Sequence, residues 1–159
     1  MTRIEQASQA DVEALATLNL RVHQLHVRHA PRFFIQPTEA QVREGFRELL
    51  VQENVRAFIA YAEGIPVGYV LVLIHERPAD AIGPARRWLY IDQISVEPQW
   101  ERQGIGRQLM QSVMDLGRAA GIDELETDIW AFNENAQAFF ESFGFLPKIQ
   151  RFWMQLESG

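Results

Sequence analysis

Two glycines stand one residue apart in the stretch PQWERQGIGRQLM, at the start of a run of residues with helical periodicity. Glycine inside a helix costs roughly 1 kcal/mol relative to alanine, so the pair suggests that something approaches the backbone there. The first turn of a helix offers unpaired amides and a partial positive charge, which suit a phosphate. We call this stretch the phosphate cradle. It comprises Glu101, Arg102, Gln103, Gly104, Ile105, Gly106 and Arg107, and it predicts a pyrophosphate site.

The same spacing is compatible with close packing of a helix on a strand, without any ligand. A dinucleotide-binding fingerprint would need a third glycine, but position 109 is Leu. A P-loop would need Lys and then Ser or Thr after its last glycine, but Arg107 and Gln108 follow Gly106. Phosphate binding and simple packing therefore both stay open on the local pattern.

The flanking periodicity predicts the elements that would position the cradle. A short strand in RIEQAS precedes two helices that begin at capping residues, Ser8 and Thr38. The stretch VRAFIAYAEGIPVGYVLVLIHE predicts two strands joined at Glu63 and Gly64. WLYIDQISV predicts a long strand that ends just before the cradle, and a helix follows to about Ala120.

Three further elements are predicted in the last quarter of the chain. ELETDIW is typical of a strand, residues 135–143 of a short helix, and RFWMQLE of a last strand. The order β-α-α-β-β-β-α-β-α-β favours a mixed α/β fold with an antiparallel first half. We expect one domain over residues 1–159.

Composition narrows the function classes. The chain of 159 residues is 47% hydrophobic and carries a formal net charge of −6, which argues against a non-specific nucleic-acid binder. It contains no cysteine, which excludes disulfides, thiolate metal sites and a cysteine nucleophile. The charged N-terminal stretch and the lack of long apolar runs predict a cytoplasmic protein with no membrane partner. The acidic balance is compatible with a cationic small substrate.

Two motifs resemble those of the GNAT superfamily of N-acetyltransferases. YIDQISVEPQWERQGIG is similar to the family's acetyl-CoA motif, in which a strand and V-x-P lead to R/Q-x-x-G-x-G/A. DIWAFNENAQAFFESFGF resembles N-x-x-A-x-x-[FL]-Y-x-x-x-G-F; the matching residues are Asn133, Ala136, Phe139, Gly144 and Phe145. The resemblance covers most of the chain. It implies the GNAT-like acyl-CoA N-acyltransferase fold, a central mixed sheet of about six to seven strands with about four helices.

The resemblance also implies a cofactor site. The cradle should hold the pyrophosphate of acetyl-CoA, and the backbone of Ile94 and Val96 should pair with pantetheine like an added strand. Asn133 should hydrogen-bond the cofactor, and no metal is expected. This arrangement requires the strands WLYIDQISV and ELETDIW to splay apart.

Two residues depart from the family pattern. Glu101 stands where the family has Arg or Gln, so its carboxylate must point away from a pyrophosphate. Phe140 stands where many members have a tyrosine that protonates the leaving thiolate. Because phenylalanine has no proton to give, the thiolate must leave unassisted or take a proton from water.

The implied reaction is attack of a neutral amine on the thioester carbonyl. A base must first take a proton from the ammonium form, and the developing oxyanion needs a donor. Asp92 is the candidate base or substrate-ammonium anchor, and the backbone N–H of Ile94 the candidate oxyanion donor. The alternative for Asp92 is an ion pair with Arg86 or Arg87. Strand periodicity predicts Tyr90, Asp92, Ile94 and Val96 on one face, with Gln93 and Ser95 on the other.

Several histidines are candidates for the acceptor side. His23, His26 and His29 recur every three residues on the first helix, but no carboxylate shares their spacing. We therefore favour one of them lining the acceptor cleft over a metal site. His75, at the end of a predicted strand, is a candidate proton relay.

The sequence thus predicts an acetyl-CoA-dependent N-acetyltransferase acting on a primary amine of a small cationic molecule. Acetylation of a protein N-terminus or lysine, and a non-catalytic acyl-CoA sensor, are the alternatives. A nucleotide-binding regulator is a third class. The identity of the amine, the length of the acyl group and a homodimer contact, to which Phe152 or Trp153 of the last strand could contribute, stay open.

Overall fold

A five-stranded sheet organises the chain in a computed structural model that describes residues 1–158. Its strands lie in sequence order, with β1 to β4 antiparallel and β5 parallel to β4. They are β1 (Thr2–Gln6), β2 (Val55–Ala62), β3 (Ile65–Arg77), β4 (Arg86–Val96) and β5 (Leu125–Thr127). The mixed α/β class is confirmed. The described residues form one strand fewer than the lower limit of the expected range.

The expected four helices are present in the described part of the chain: α1 (Val12–His29), α2 (Glu39–Leu50), α3 (Ile105–Ala120) and α4 (Glu134–Glu141). Both predicted capping boxes form. The Ser8 hydroxyl accepts from the Ala10 amide while Asp11 accepts from the Ser8 amide, and Thr38 and Gln41 cap α2 in the same reciprocal way. No helix within residues 1–158 is both long enough and apolar enough to cross a membrane.

The chain divides into two compact units, one up to Asp128 and one from Ile129 onward. The first holds the whole sheet with α1, α2 and α3, and the second holds α4. The expectation of a single domain stays a prediction.

The core of the first unit occupies both faces of the sheet. Alternate residues of β3, such as Tyr69 and Leu71, join a cluster with Leu15 of α1 and Phe46 of α2. The intervening residues of β3 face the other way, towards the side that α3 covers with buried Leu109, Met110 and Val113. Each fully buried side chain of this size stabilises the fold by about 1.5–3 kcal/mol.

The predicted face pattern of β4 is wrong because the strand contains a bulge. Leu71 of β3 lies opposite Gln93, whereas the next residue, Val72, lies opposite Ile91, so Asp92 is an extra residue. A bulge shifts the side-chain alternation by one position. Tyr90 therefore shares its face with Gln93 and Ser95, on the α1 side of the sheet, and not with Ile94 and Val96.

Two predictions for the C-terminal quarter also need correction. The strand expected in ELETDIW is limited to the three residues of β5. RFWMQLE forms no strand, and all its residues are exposed. A strand forms only where its backbone groups find a partner, and alternation of side chains alone does not supply one.

Candidate active site

The edge of β4 is open along its last five residues. Pairing between β4 and β5 ends at Ile91 and Thr127, where the Thr127 hydroxyl donates to the Ile91 carbonyl at 2.9 Å. Beyond that point, among the residues described, β4 pairs only with β3. The pairing of β4 with β5 thus ends before the last residues of β4, whose edge the sequence interpretation requires to be free.

The open edge presents backbone groups in a predictable order. The Glu97 amide donates to the Val67 carbonyl on β3 at 2.8 Å. Because successive residues of an antiparallel strand direct their N–H and C=O groups to opposite sides, Val96 and Ile94 direct theirs to the open side. An extended ligand with two amides could pair there as an added strand.

The phosphate cradle follows directly after this edge. Gly104 is the N-cap residue of α3 with a φ of +81°, and it makes no side-chain cap hydrogen bond. The Gln108 amide donates to the Gly104 carbonyl at 3.0 Å, so the amides of the preceding turn lie at the N-terminal end of the helix dipole. The Glu101 amide is turned back to the Pro98 carbonyl at 3.3 Å. The backbone amides that remain candidates for binding a pyrophosphate are therefore those of residues 102–107.

Backbone conformation explains one of the two glycines. A Cβ added at Gly104 would meet no atom within 4 Å, so internal packing does not require glycine there. The positive φ does, because L-residues are strained in that region. Arg102, two residues earlier, also has a positive φ of 60°. The turn therefore contains two residues in the left-handed backbone region, and no other atom crowds it at Gly104.

An ion pair between buried Glu97 and half-exposed Arg21 connects the end of β4 to α1. Glu97 is only 7% exposed, and its carboxylate pairs with the guanidinium of Arg21 on α1. Its amide is the one bonded to Val67. Glu97 thus ties the end of β4, from which the chain leads into the cradle, to both α1 and β3.

Asp92 lies at the bulge with its side chain reaching solvent. Partial burial raises the pKa of its carboxyl, against the lowering effects of a hydrogen bond with Gln93 and of nearby His23. Within the described residues, neither Arg86 nor Arg87, the alternative partners named above, forms an ion pair with Asp92. Arg86 pairs with Glu124 at 2.5 Å and with Glu126, and Arg87 pairs with Glu76 at 2.8 Å.

His23 brings a second titratable group to Asp92. Burial lowers the pKa of its imidazole, and the charge of Asp92 acts in the opposite direction. Its Nδ1 is buried and, within the described part of the chain, has no hydrogen-bond partner. His26 stacks on Phe34 with ring centroids 4.9 Å apart. Across residues 1–158 no group of three or more acidic, histidine or cysteine side chains is placed to hold a metal ion.

A buried polar network fixes the residue beside Asp92. Tyr69 and Asn19 both bond Oε1 of Gln93, the hydroxyl and the amide each at 2.6 Å, and Asn19 also bonds the Tyr69 hydroxyl at 2.9 Å. Burial raises the pKa of the Tyr69 phenol, so the phenol stays protonated and donates. Sequence reasoning did not single out Asn19 or Tyr69. The available signal was Asn19 within the apolar stripe of α1, since buried polar residues need partners.

The carboxylates of Asp92, Glu126 and Asp128 lie near Tyr90, and we call these three groups the acidic wall. The Tyr90 hydroxyl donates to Oδ2 of Asp128 at 3.3 Å. Burial and the carboxylates of Asp128, Asp92 and Glu126 raise the pKa of Tyr90 to about 12. The His75 ring packs 5.5 Å from Tyr90, so two of the sequence candidates, His75 and Asp92, lie beside Tyr90.

The sequence model of the family described as "Acetyltransferase (GNAT) family" matches residues 13–145. This chain is a GNAT acetyltransferase. It is similar to an aminoglycoside N(6')-acetyltransferase type 1 of Salmonella typhimurium, with 25% identity over 109 residues that cover 69% of this chain and 74% of the relative. The family assignment confirms the predicted resemblance and the acyltransferase class.

Solved structures share the GNAT fold. A tetramutant of the BH1408 protein from Bacillus halodurans matches with a TM-score of 0.92 and 24% identity, covering 97% of this chain and 99% of that one. Aminoglycoside N-acetyltransferase AAC(6')-Iy in complex with CoA matches with a TM-score of 0.79 and 18% identity. The match covers 99% of this chain and 96% of that one.

The matching residues of the second GNAT motif, from Asn133 to Phe145, lie in the second unit. Asn133 caps α4 by accepting a hydrogen bond from the Ala136 amide at 3.1 Å, which leaves its side-chain NH₂ as a donor. Phe140 is 3% exposed and packs its ring 5.2 Å from Phe139 and 5.1 Å from Phe145. It therefore serves as a packing residue at the position where many GNAT enzymes have tyrosine.

Proposed function

We propose that this GNAT acetyltransferase moves an acetyl group from acetyl-CoA to a primary amine of a small cationic molecule. One observation carries the proposal. The open edge of β4 leads directly into the glycine start of α3, and Asp92 stands where that open edge begins. The cofactor's linear order of thioester, pantetheine and pyrophosphate can follow the same path.

Acetyl-CoA binding follows from backbone groups. The open-side groups of Ile94 and Val96 pair with the two pantetheine amides, and the amides of residues 102–107 take the pyrophosphate. Arg102 and Arg107 add positive charge on either side of that turn. The Glu101 side chain must then point away from the phosphates. The role of Asn133 as a further donor to the cofactor stays a prediction.

Asp92 acts as the base or as the anchor of the substrate ammonium. In the first role its carboxylate takes one proton from the ammonium, and the neutral nitrogen attacks the thioester carbon. The carbonyl oxygen becomes an oxyanion that accepts from the Ile94 N–H. The C–S bond then breaks as the carbonyl re-forms, CoA leaves as the thiolate, and the nitrogen loses its second proton to solvent to give the neutral amide. A raised pKa makes Asp92 a stronger base than an ordinary surface aspartate.

His23 supplies a place for the proton next to Asp92. Its burial-lowered pKa keeps the imidazole neutral and able to accept. Protonated His23 beside ionised Asp92 is a favourable charge pair, so the two groups can share the proton before it reaches solvent. The CoA thiolate leaves unassisted or takes a proton from water, since Phe140 has none to give.

The acidic wall supports a cationic acceptor. Three carboxylates, Asp92, Asp128 and Glu126, act on Tyr90, and Arg86 offsets only part of their charge. A polyamine or an aminoglycoside carries several protonated amines that such a wall attracts. The aminoglycoside acetyltransferase among the relatives is consistent with this substrate class.

A turnover assay with a broad amine panel tests the proposal. Because the chain has no cysteine, free thiol in the reaction reports released CoA without a protein background. We expect amine-dependent thiol release, with one acetyl group added to the amine by mass spectrometry. Acetyl-CoA binding without thiol release on any amine, peptide amines included, would favour the sensor alternative. Failure to bind CoA at all would overturn both.

A further inference from the structure

The segment between β4 and α3, residues 98–103, is held mainly by hydrogen bonds to itself, and we call it the connector. The Trp100 amide donates to the Glu97 carbonyl at 2.8 Å, and Nε2 of Gln103 donates to the Gln99 carbonyl at 3.3 Å. Within residues 1–158, the connector makes no hydrogen bond or ion pair except with itself and with Glu97. Glu97, which directly precedes it, is therefore the residue that fixes where the connector begins.

Glu97 attaches the start of the connector to two other elements. Its amide donates to the Val67 carbonyl on β3 at 2.8 Å, and its buried carboxylate pairs with the guanidinium of Arg21 on α1. A buried carboxylate needs a partner that compensates its charge, and among the described residues Arg21 is the basic group that pairs with it. The Arg21 side chain is half-exposed, so it reaches Glu97 from the surface of α1.

A cavity of about 200 Å³ lies between α1 and the connector, beside this ion pair. Thr17 and Leu18 of α1 line it from one side and Trp100 of the connector from the other, and both Arg21 and Glu97 contribute to its wall. Side chains that face each other across a gap lose the close contacts that hold packed elements together. The ion pair is therefore the polar link between α1 and the start of the connector in the described part of the chain.

The connector ends in a turn that other contacts must hold. Arg102 and Gly104 have φ angles of 60° and 81°, both in the left-handed region. A residue with a side chain keeps such a conformation only where the surrounding structure imposes it. The amides of residues 102–107 take their direction from this turn, so a displacement at Glu97 changes the phosphate cradle.

We propose that Arg21 is a positioning residue for the phosphate cradle and acts on it through Glu97. The inference rests on the proposed binding of CoA at that cradle. The guanidinium compensates the buried carboxylate and fixes the start of the connector, so residues 102–107 keep the arrangement that receives a pyrophosphate. Arg21 therefore sets cofactor affinity, whereas Asp92 serves the transfer of the acetyl group.

Arg21→Met tests the proposal, because methionine keeps much of the aliphatic side chain and removes the charge. We expect the dissociation constant for CoA, measured by calorimetry, to rise about tenfold, since the buried carboxylate is left without its partner. The KM for acetyl-CoA should rise while kcat at saturating acetyl-CoA stays near that of the parent. A loss of folded protein would instead lower kcat and leave KM unchanged. Arg21→Lys, which keeps the positive charge, should recover most of the affinity.

Arg43→Met is the matched control. The Arg43 guanidinium on α2 lies 3.6 Å from the Glu13 carboxylate on α1 and 3.4 Å from that of Glu39, and both carboxylates are exposed. The same substitution thus removes ion pairs of α1 and α2 away from Glu97, and the CoA affinity should equal that of the parent. Glu97→Gln combined with Arg21→Met should weaken binding no more than the stronger single substitution, because the two residues act as one unit. Additive losses would contradict the proposal.

Hydrogen exchange of the CoA-free protein keeps this inference apart from the proposed function. The amides of Glu97, Trp100 and Glu101 are hydrogen-bonded, so their exchange reports how firmly the connector is held. Peptides that cover them should exchange faster in Arg21→Met than in the parent or in Arg43→Met. Unchanged exchange, or an unchanged dissociation constant for CoA in Arg21→Met, would overturn the inference. A parent protein that binds no CoA would overturn the proposed function itself, whatever the exchange shows.

Discussion

The Tyr69 hydroxyl donates a 2.6 Å hydrogen bond to Oε1 of Gln93, the residue that directly follows Asp92. Tyr69 is fully buried, and Asn19 on α1 donates to the same oxygen. Gln93 is therefore held from two elements, on the α1 face of the sheet. Gln93 shares this face with Tyr90 because Asp92, the residue before it, is left out of the β3 pairing.

Removing the Tyr69 hydroxyl should cost stability and activity together. Tyr69→Phe leaves Gln93 and Asn19 with one partner fewer in a buried site, which costs about 1–3 kcal/mol of unfolding free energy. Looser support of the bulge should also lower turnover. Tyr61→Phe is the matched control, since its hydroxyl donates to Asp11 at 2.9 Å, away from the bulge. Denaturant unfolding and turnover should separate the two variants: equal turnover in both would show that the Gln93 network does not support the site.

Substitution of Asp92 should affect chemistry more than cofactor binding. Asp92→Asn removes the proton acceptor, and loss of a general base typically lowers turnover by about 10²–10⁴-fold. Acetyl-CoA affinity should stay close to that of the parent, because the proposed cofactor site consists of backbone groups. Asp128→Asn, which alters a neighbouring carboxylate, is the comparison and should chiefly raise the KM for a cationic amine.

The pH profile gives an independent check on Asp92. A base works only when ionised, and burial raises the pKa of this carboxyl, so activity should fall as the pH drops through that raised value. In the Asp92→Asn variant, kcat should no longer show this decrease at low pH. A profile of unchanged shape would rule out Asp92 as the base and leave it as an ammonium anchor.

The Gly104 prediction has an internal control in the chain. Gly104→Ala places a Cβ on a residue with a φ of +81°, at a backbone cost of about 1–2 kcal/mol. Gly64→Ala does the same at a φ of +78° in the β2–β3 turn, and neither Cβ meets another atom within 4 Å. Both should lower the unfolding free energy by a similar amount. Only Gly104→Ala should weaken CoA binding, measured by calorimetry. Equal CoA affinities of the two variants would show that the phosphate cradle does not bind CoA.

Stability should depend on pH through His23. Its folded-state pKa is lowered by burial, so the unfolded chain binds the proton more tightly and protonation favours unfolding. The contribution of the neutral imidazole is fully present above about pH 6.5 and is lost as the pH falls below it. In His23→Asn the unfolding free energy should vary less with pH across that window. A parallel dependence in parent and variant would mean that His23 is not desolvated.

Local features of this protein were readable from its sequence. The reciprocal caps at Ser8 and Thr38 and the turn at Glu63 and Gly64 formed as predicted. Each depends on hydrogen bonds or Cβ contacts between residues at most a few positions apart, so the local residue types determine them. The two motifs were enough to identify the GNAT family, because they lie within continuous stretches of chain.

Tertiary structure alone decided the arrangement around Asp92. The bulge depends on register between β3 and β4, and the support of Gln93 depends on Asn19, which is 74 residues away. A change of one residue in register exchanges the two faces of a strand, and no spacing within β4 reveals it. The segment RFWMQLE illustrates the same principle, since its alternation predicted a strand and the residues form none. Caps and turns are determined by neighbours in sequence, but pairing is determined by the other strand.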